Sequence, residues 1–77
     1  MVRQYTFSLV FSASEVERRY YKERMENIVV QTEQGISVQL PMRRFTPFIS
    51  GIGIRGRFLL TLDQQNRFIS MQKIGEV

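Results

Sequence analysis

The chain has 77 residues, of which eleven are basic and seven acidic, and it contains no cysteine, histidine or tryptophan. That length suits a single small domain, expected over residues 1–77, with a limited core, because a domain of this size buries only about 60% of the surface its unfolded chain exposes. The missing Cys and His remove disulfides, thiolate metal sites and the commonest general base, so no metal, no cofactor and no catalytic residue is expected.

Residues 4–11 alternate, with Tyr5, Phe7, Leu9 and Phe11 on one face and Gln4, Thr6, Ser8 and Val10 on the other. This is the pattern of a half-buried strand with an aromatic inner face. Ser12 with Glu15, and Ser14 with Glu17, both have the spacing of a capping box, so a helix is expected from about residue 13 to about Arg24. Its apolar stripe of Ala13, Val16 and Tyr20, with Tyr21 alongside, is narrow enough to lay the helix over a sheet.

A second strand is expected around Ile28-Val29-Val30, followed by a hairpin turn at Glu33-Gln34-Gly35 and a third strand in which Ile36, Val38 and Leu40 alternate. Pro41 ends that strand or opens a single helical turn through Met42 to Phe45. Residues 46–56 read as a loop containing Gly51, Gly53 and Gly56. Arg57 to Leu62 is the fourth strand, Asp63-Gln64-Gln65-Asn66 a turn, and Arg67 to Ile74 the last strand. The resulting expectation is an α+β fold of order β-α-β-β-β-β, with one helix packed on a single antiparallel, strongly twisted sheet of about five strands. Val10, Ile69 and Met71 fall on its outer faces, so the sheet has reason to curl toward a barrel.

Gly51, Gly53 and Gly56 form a Gly-x-Gly-x-x-Gly run. A dinucleotide-binding loop needs a strand before this run, a helix after it and an acidic residue about 20 positions on. Here a strand follows, and 21 residues remain after Gly56, so the glycines read as backbone geometry: positive φ, a bulge, or close packing under Phe48 and Phe58.

These elements together carry a resemblance. The Ser-Ala-x-Glu helix start, Tyr20-Tyr21, Gln39-Leu40-Pro41, Pro47-Phe48 and Gly53-Ile54-x-Gly56-Arg57-Phe58 resemble a family of short gammaproteobacterial proteins catalogued as domain of unknown function 2835. The resemblance runs over about residues 4–75 and implies a shared fold and a bacterial source, without an activity. The family tends to have a glycine where Lys22-Glu23 stands, which implies a longer helix here.

The charge is uneven. Residues 1–38 hold five basic and five acidic side chains, whereas residues 39–77 hold six basic and two acidic, so all of the net +4 falls in the second half. Arg43, Arg44, Arg55 and Arg57 all lie near the glycine loop in sequence, and arginine suits bidentate contact with carboxylate or phosphate. They are the candidate anion or nucleic-acid site, with Phe45 or Phe48 available to stack a base but better suited to the core. Tyr20 and Tyr21 cannot both face the core, so one is a candidate interface residue.

No uninterrupted apolar stretch exceeds three residues, as in Phe58-Leu59-Leu60, far short of the ~20 a membrane helix needs. The N-terminal residues lack the apolar run of a signal peptide, and a cytoplasmic location is expected. The leading reading is a small non-catalytic bacterial binding or adaptor protein, its partner an acidic protein face or nucleic acid. The alternative is a structural module that self-associates through an edge strand and the Tyr20/Tyr21 face.

Overall fold

The computed structural model describes residues 1–77. In chain order its elements are β1 (Arg3–Phe11), α1 (Ala13–Val16) running directly into a π-helical stretch (Glu17–Lys22), β2 (Asn27–Gln31), β3 (Ser37–Pro41), a 3-10 segment (Met42–Phe48), β4 (Ile54–Leu62) and β5 (Phe68–Gly75). The α+β class and the succession of strands along the chain follow the sequence reading. The single five-stranded sheet does not: β1, β4 and β5 form one antiparallel sheet with β4 central, and β2 and β3 form a separate antiparallel hairpin.

The physical reason lies in β4, which alternates buried residues with exposed or half-buried ones along its whole length. It pairs with β1 over nine residues, setting Phe7 opposite Phe58, Tyr5 opposite Leu60 and Phe11 opposite Ile54. With β5 on its other side, β4 has no edge left for β3. The inner face of this sheet is wider than one short helix can cover. The hairpin therefore lays its own apolar residues, Ile28, Val30, Leu40 and Val38, into the same core.

Four phenylalanines centre that core. The Phe7 and Phe58 rings stack at 5.5 Å, Phe45 meets both edge-on, and Phe48 stands edge-on to Phe58 at 5.1 Å. Met71 packs against this cluster instead of lying on the outer face, while Val10 and Ile69 are exposed there as expected.

The expected capping box is present at Ser12 and Glu15. The α-helical geometry lasts one turn, then widens, and Glu23 N–H donates to the Arg18 carbonyl at 2.8 Å. The stretch ends at Lys22, with Arg24 in the left-handed region at φ 53°. Ala13 is exposed, leaving Val16 buried and Tyr20 half-buried against the core.

The glycine loop is shorter than expected, because β4 begins at Ile54 and Gly56 lies within it. Gly53 has φ +102°, and a Cβ there would run into the backbone of Phe11, Ser12 and Ala13. The loop thus packs on the β1–α1 junction, not under Phe48 and Phe58.

The hairpin tip closes over the sheet. Glu33 N–H donates to the Thr6 carbonyl at 2.7 Å, and Thr6 N–H donates to Gln34 Oε1 at 2.9 Å. These bonds cap the edge of β1 that faces away from β4. The outer edge of β5 carries no such cover.

Candidate functional site

The four arginines singled out from the sequence stand in two places. Arg43 and Arg44 are exposed on the 3-10 segment, whose Phe45 is anchored against Phe7 and Phe58 on the inner face of the sheet. Arg55 and Arg57 alternate with buried Ile54 and Phe58 on β4, so they project from the opposite, outer face. Closeness in sequence put them in one loop; strand alternation and the position of the 3-10 segment set them on two sides of the sheet.

The outer pair is engaged internally. Arg57 makes a bidentate pair with Glu33, Nη2 to Oε1 at 2.6 Å and Nε to Oε2 at 2.8 Å. Thr6 Oγ1 adds a third hydrogen bond to the same carboxylate at 2.8 Å. The Arg57 bonds, then the Thr6 bond, hold the Glu33 carboxyl at about 2, and the same pairing raises Arg57. Arg55 donates through Nε and Nη2 to the Val77 carbonyl.

The inner pair has no carboxylate partner. The Arg44 guanidinium lies over the Phe68 ring at 4.2 Å, a cation–π contact that orders the side chain while leaving its N–H groups free. Arg43 and Arg44 border an open cleft with Phe48, Phe68 and Met71. On its other side Arg43 lines a second depression, of about 460 Å³, with Tyr20, Arg24, Glu26 and Asn27. Phe45 is fully buried and cannot stack a ligand, whereas Phe48 and Phe68 are only half-buried.

Tyr20 and Tyr21 divide as their adjacency requires. Tyr20 packs partly against the core, and Tyr21 is 62% exposed with its ring 4.9 Å from that of Tyr20. The Glu15–Arg19 pairing that α-helical spacing suggests does not form, because Glu15 is held in the capping box. Arg19 instead lies over the Phe11 ring at 5.4 Å.

Two residues at this face escaped the sequence reading. Phe68 meets Arg44 only through the tertiary packing of β5 on the 3-10 segment, which leaves no local signal. Arg24 takes the position where a left-handed residue, normally Gly, closes the last turn, and with no glycine there the sequence does not mark it.

No three His, Cys, Asp or Glu side chains are grouped to hold a metal ion, and no helix is long and apolar enough to cross a membrane. The arrangement is that of a small two-layer α+β fold with Arg43 and Arg44 free on one side, and with Arg57 ion-paired and Arg55 bonded to a backbone carbonyl on the other. The chain belongs to the family described as Protein of unknown function (DUF2835), whose profile matches residues 3–74. No curated protein and no solved structure matches it.

Proposed function

We propose that the protein is a small non-catalytic binding module that offers the side bearing Arg43 and Arg44 to single-stranded nucleic acid. The observation that supports this most is the contrast between the two arginine pairs. Arg43 and Arg44 keep their donors free beside the half-buried Phe48 and Phe68, while Arg57 and Arg55 use theirs within the chain. Free arginines track phosphates, and partly exposed aromatic rings beside them give unpaired bases a surface to stack on, which is the combination single-strand binders use.

The test compares two double variants by fluorescence anisotropy with a labelled single-stranded oligonucleotide. Arg43→Gln with Arg44→Gln is expected to weaken binding and to flatten the salt dependence by about 1.4 in log–log slope, since each lost single-strand phosphate contact contributes about 0.7. Arg55→Gln with Arg57→Gln should retain the parental slope. Binding of an acidic protein in place of the oligonucleotide, lost in the same first variant, would redirect the reading to a protein partner.

Self-association is the second reading, and the open edge of β5 is the feature that favours it. Register irregularities at Arg57/Phe58 and Thr61/Leu62 break the regular ladder near both ends of that strand. Such bulges discourage edge-to-edge pairing, so light scattering is expected to report a monomer. A dimer abolished by Tyr21→Ser would reverse that order.

A further inference from the structure

The helix end concentrates three departures from ordinary local chemistry. The helix widens into a six-residue π-helical stretch, a rare geometry frequent at functional sites. Its closing residue is left-handed, a conformation that favours glycine, yet the chain places Arg24 there at φ 53°. That arginine then makes no ion pair with any carboxylate. An unfavourable backbone position occupied by a side chain that repays nothing within the fold points to a use outside it.

The side chain has a place to act. Arg24 and Arg43, from different elements, line the same depression of about 460 Å³, with Tyr20, Glu26 and Asn27 around it. Two arginines lining one concavity suit the oxygens of a phosphate dianion, because each guanidinium fork can make two parallel charge-assisted hydrogen bonds. Glu26 is the one carboxylate in the lining. It disfavours a bare anion beside it but accepts hydroxyl donors such as those of a sugar. The half-buried Tyr20 ring offers an aromatic wall.

We propose that this depression binds a phosphomonoester carried on a nucleoside, with Arg24 and Arg43 holding the phosphate and Glu26 facing the sugar. The ligand chemistry is shared by a free mononucleotide and by the 5′-phosphate end of a strand. The second source rests on the nucleic-acid reading above; the first does not.

The experiment follows backbone amide shifts of the isotope-labelled chain during titration with AMP, adenosine and inorganic phosphate. AMP is expected to move residues 20–27 and 41–43 saturably, inorganic phosphate to move them more weakly, and adenosine to leave them still. Arg24→Gly should weaken the AMP response at least about tenfold, the loss of one charged hydrogen bond. Because glycine relieves the left-handed strain, this variant should melt no lower than the parent, which separates lost binding from lost fold. Arg43→Gln should weaken AMP similarly. Equal shifts with adenosine, no shifts with AMP, or parental AMP affinity in Arg24→Gly would each overturn the pocket.

A 5′-phosphorylated and a 5′-hydroxyl oligonucleotide then separate the two readings. Preference for the phosphorylated strand, lost in Arg24→Gly, supports a strand end as the source. Equal binding of both strands limits the pocket to free nucleotides. An AMP response without binding of either strand keeps the pocket and overturns the nucleic-acid reading.

Discussion

At Gly53 the chain is held at φ +102°, and its missing side chain lets the loop lie against the backbone of Phe11 and Ser12. Gly51, two residues earlier, has open space where a Cβ would go. Gly53→Ala is therefore expected to destabilise by about 1–3 kcal/mol from backbone conformation alone, with the steric overlap adding to it. Gly51→Ala should be within about 0.5 kcal/mol of the parent. Urea denaturation of both variants checks the difference, and equal losses would contradict the assignment of the backbone requirement to Gly53 alone. Phe58 touches the rings of Phe7, Phe45 and Phe48 and is fully buried. Phe58→Ala should cost about 3–5 kcal/mol, a large share of the stability of a domain this small.

Among the elements, the tip of the β2–β3 hairpin is latched to the sheet by one acidic residue, with Gln34 bonding β1 beside it. Glu33 joins the hairpin tip to β1 through Thr6 and to β4 through Arg57. Its carboxyl sits at about 2, below its ordinary 4.5. A depressed carboxyl favours the folded state when ionised, so its contribution is complete above pH 4.5 and fades as the pH falls toward 2. Asp63 is shifted the same way, chiefly by the Arg67 backbone N–H and also by that of Gln65 and the Arg67 side chain. Acid titration followed by circular dichroism should show stability falling across this window. Glu33→Gln should start less stable at neutral pH and lose less on acidification; a parallel curve would contradict the latch.

The strands, the capping box and both hairpin turns were legible because each is written in neighbouring residues: alternation at Tyr5 to Phe11, Ser12 with Glu15, Gly35 and Asn66 at positive φ. The division into two sheets was not, since it depends on β4 choosing β1 and β5 over β3. The site was legible in part. Arg43 and Arg44 stay together because they are adjacent on one segment. Their separation from Arg55 and Arg57 arises from which side of the sheet the 3-10 segment covers, a property of the assembled layers.

For the molecule as a whole, the net charge of +4 is modest, and its placement matters more than its size. At physiological salt, charges farther apart than about 8 Å are largely screened, so local clusters decide what is attracted. Asp63–Arg67 and Lys73–Glu76 pair within the second half and Glu33 takes Arg57, so the excess of that half rests on Arg43, Arg44 and Arg55. The unpaired arginines at 24, 43 and 44 remain on the side built by the helix end and the 3-10 segment.

The most direct measurement is a map of amide shifts on adding a short single-stranded oligonucleotide at low and at moderate salt. Salt-sensitive shifts at residues 41–48 and 68–71, with the outer-face residues 55–57 unmoved, are the predicted result. Shifts centred on residues 55–57, or none at low salt, would contradict the assignment of this side of the molecule as the binding face.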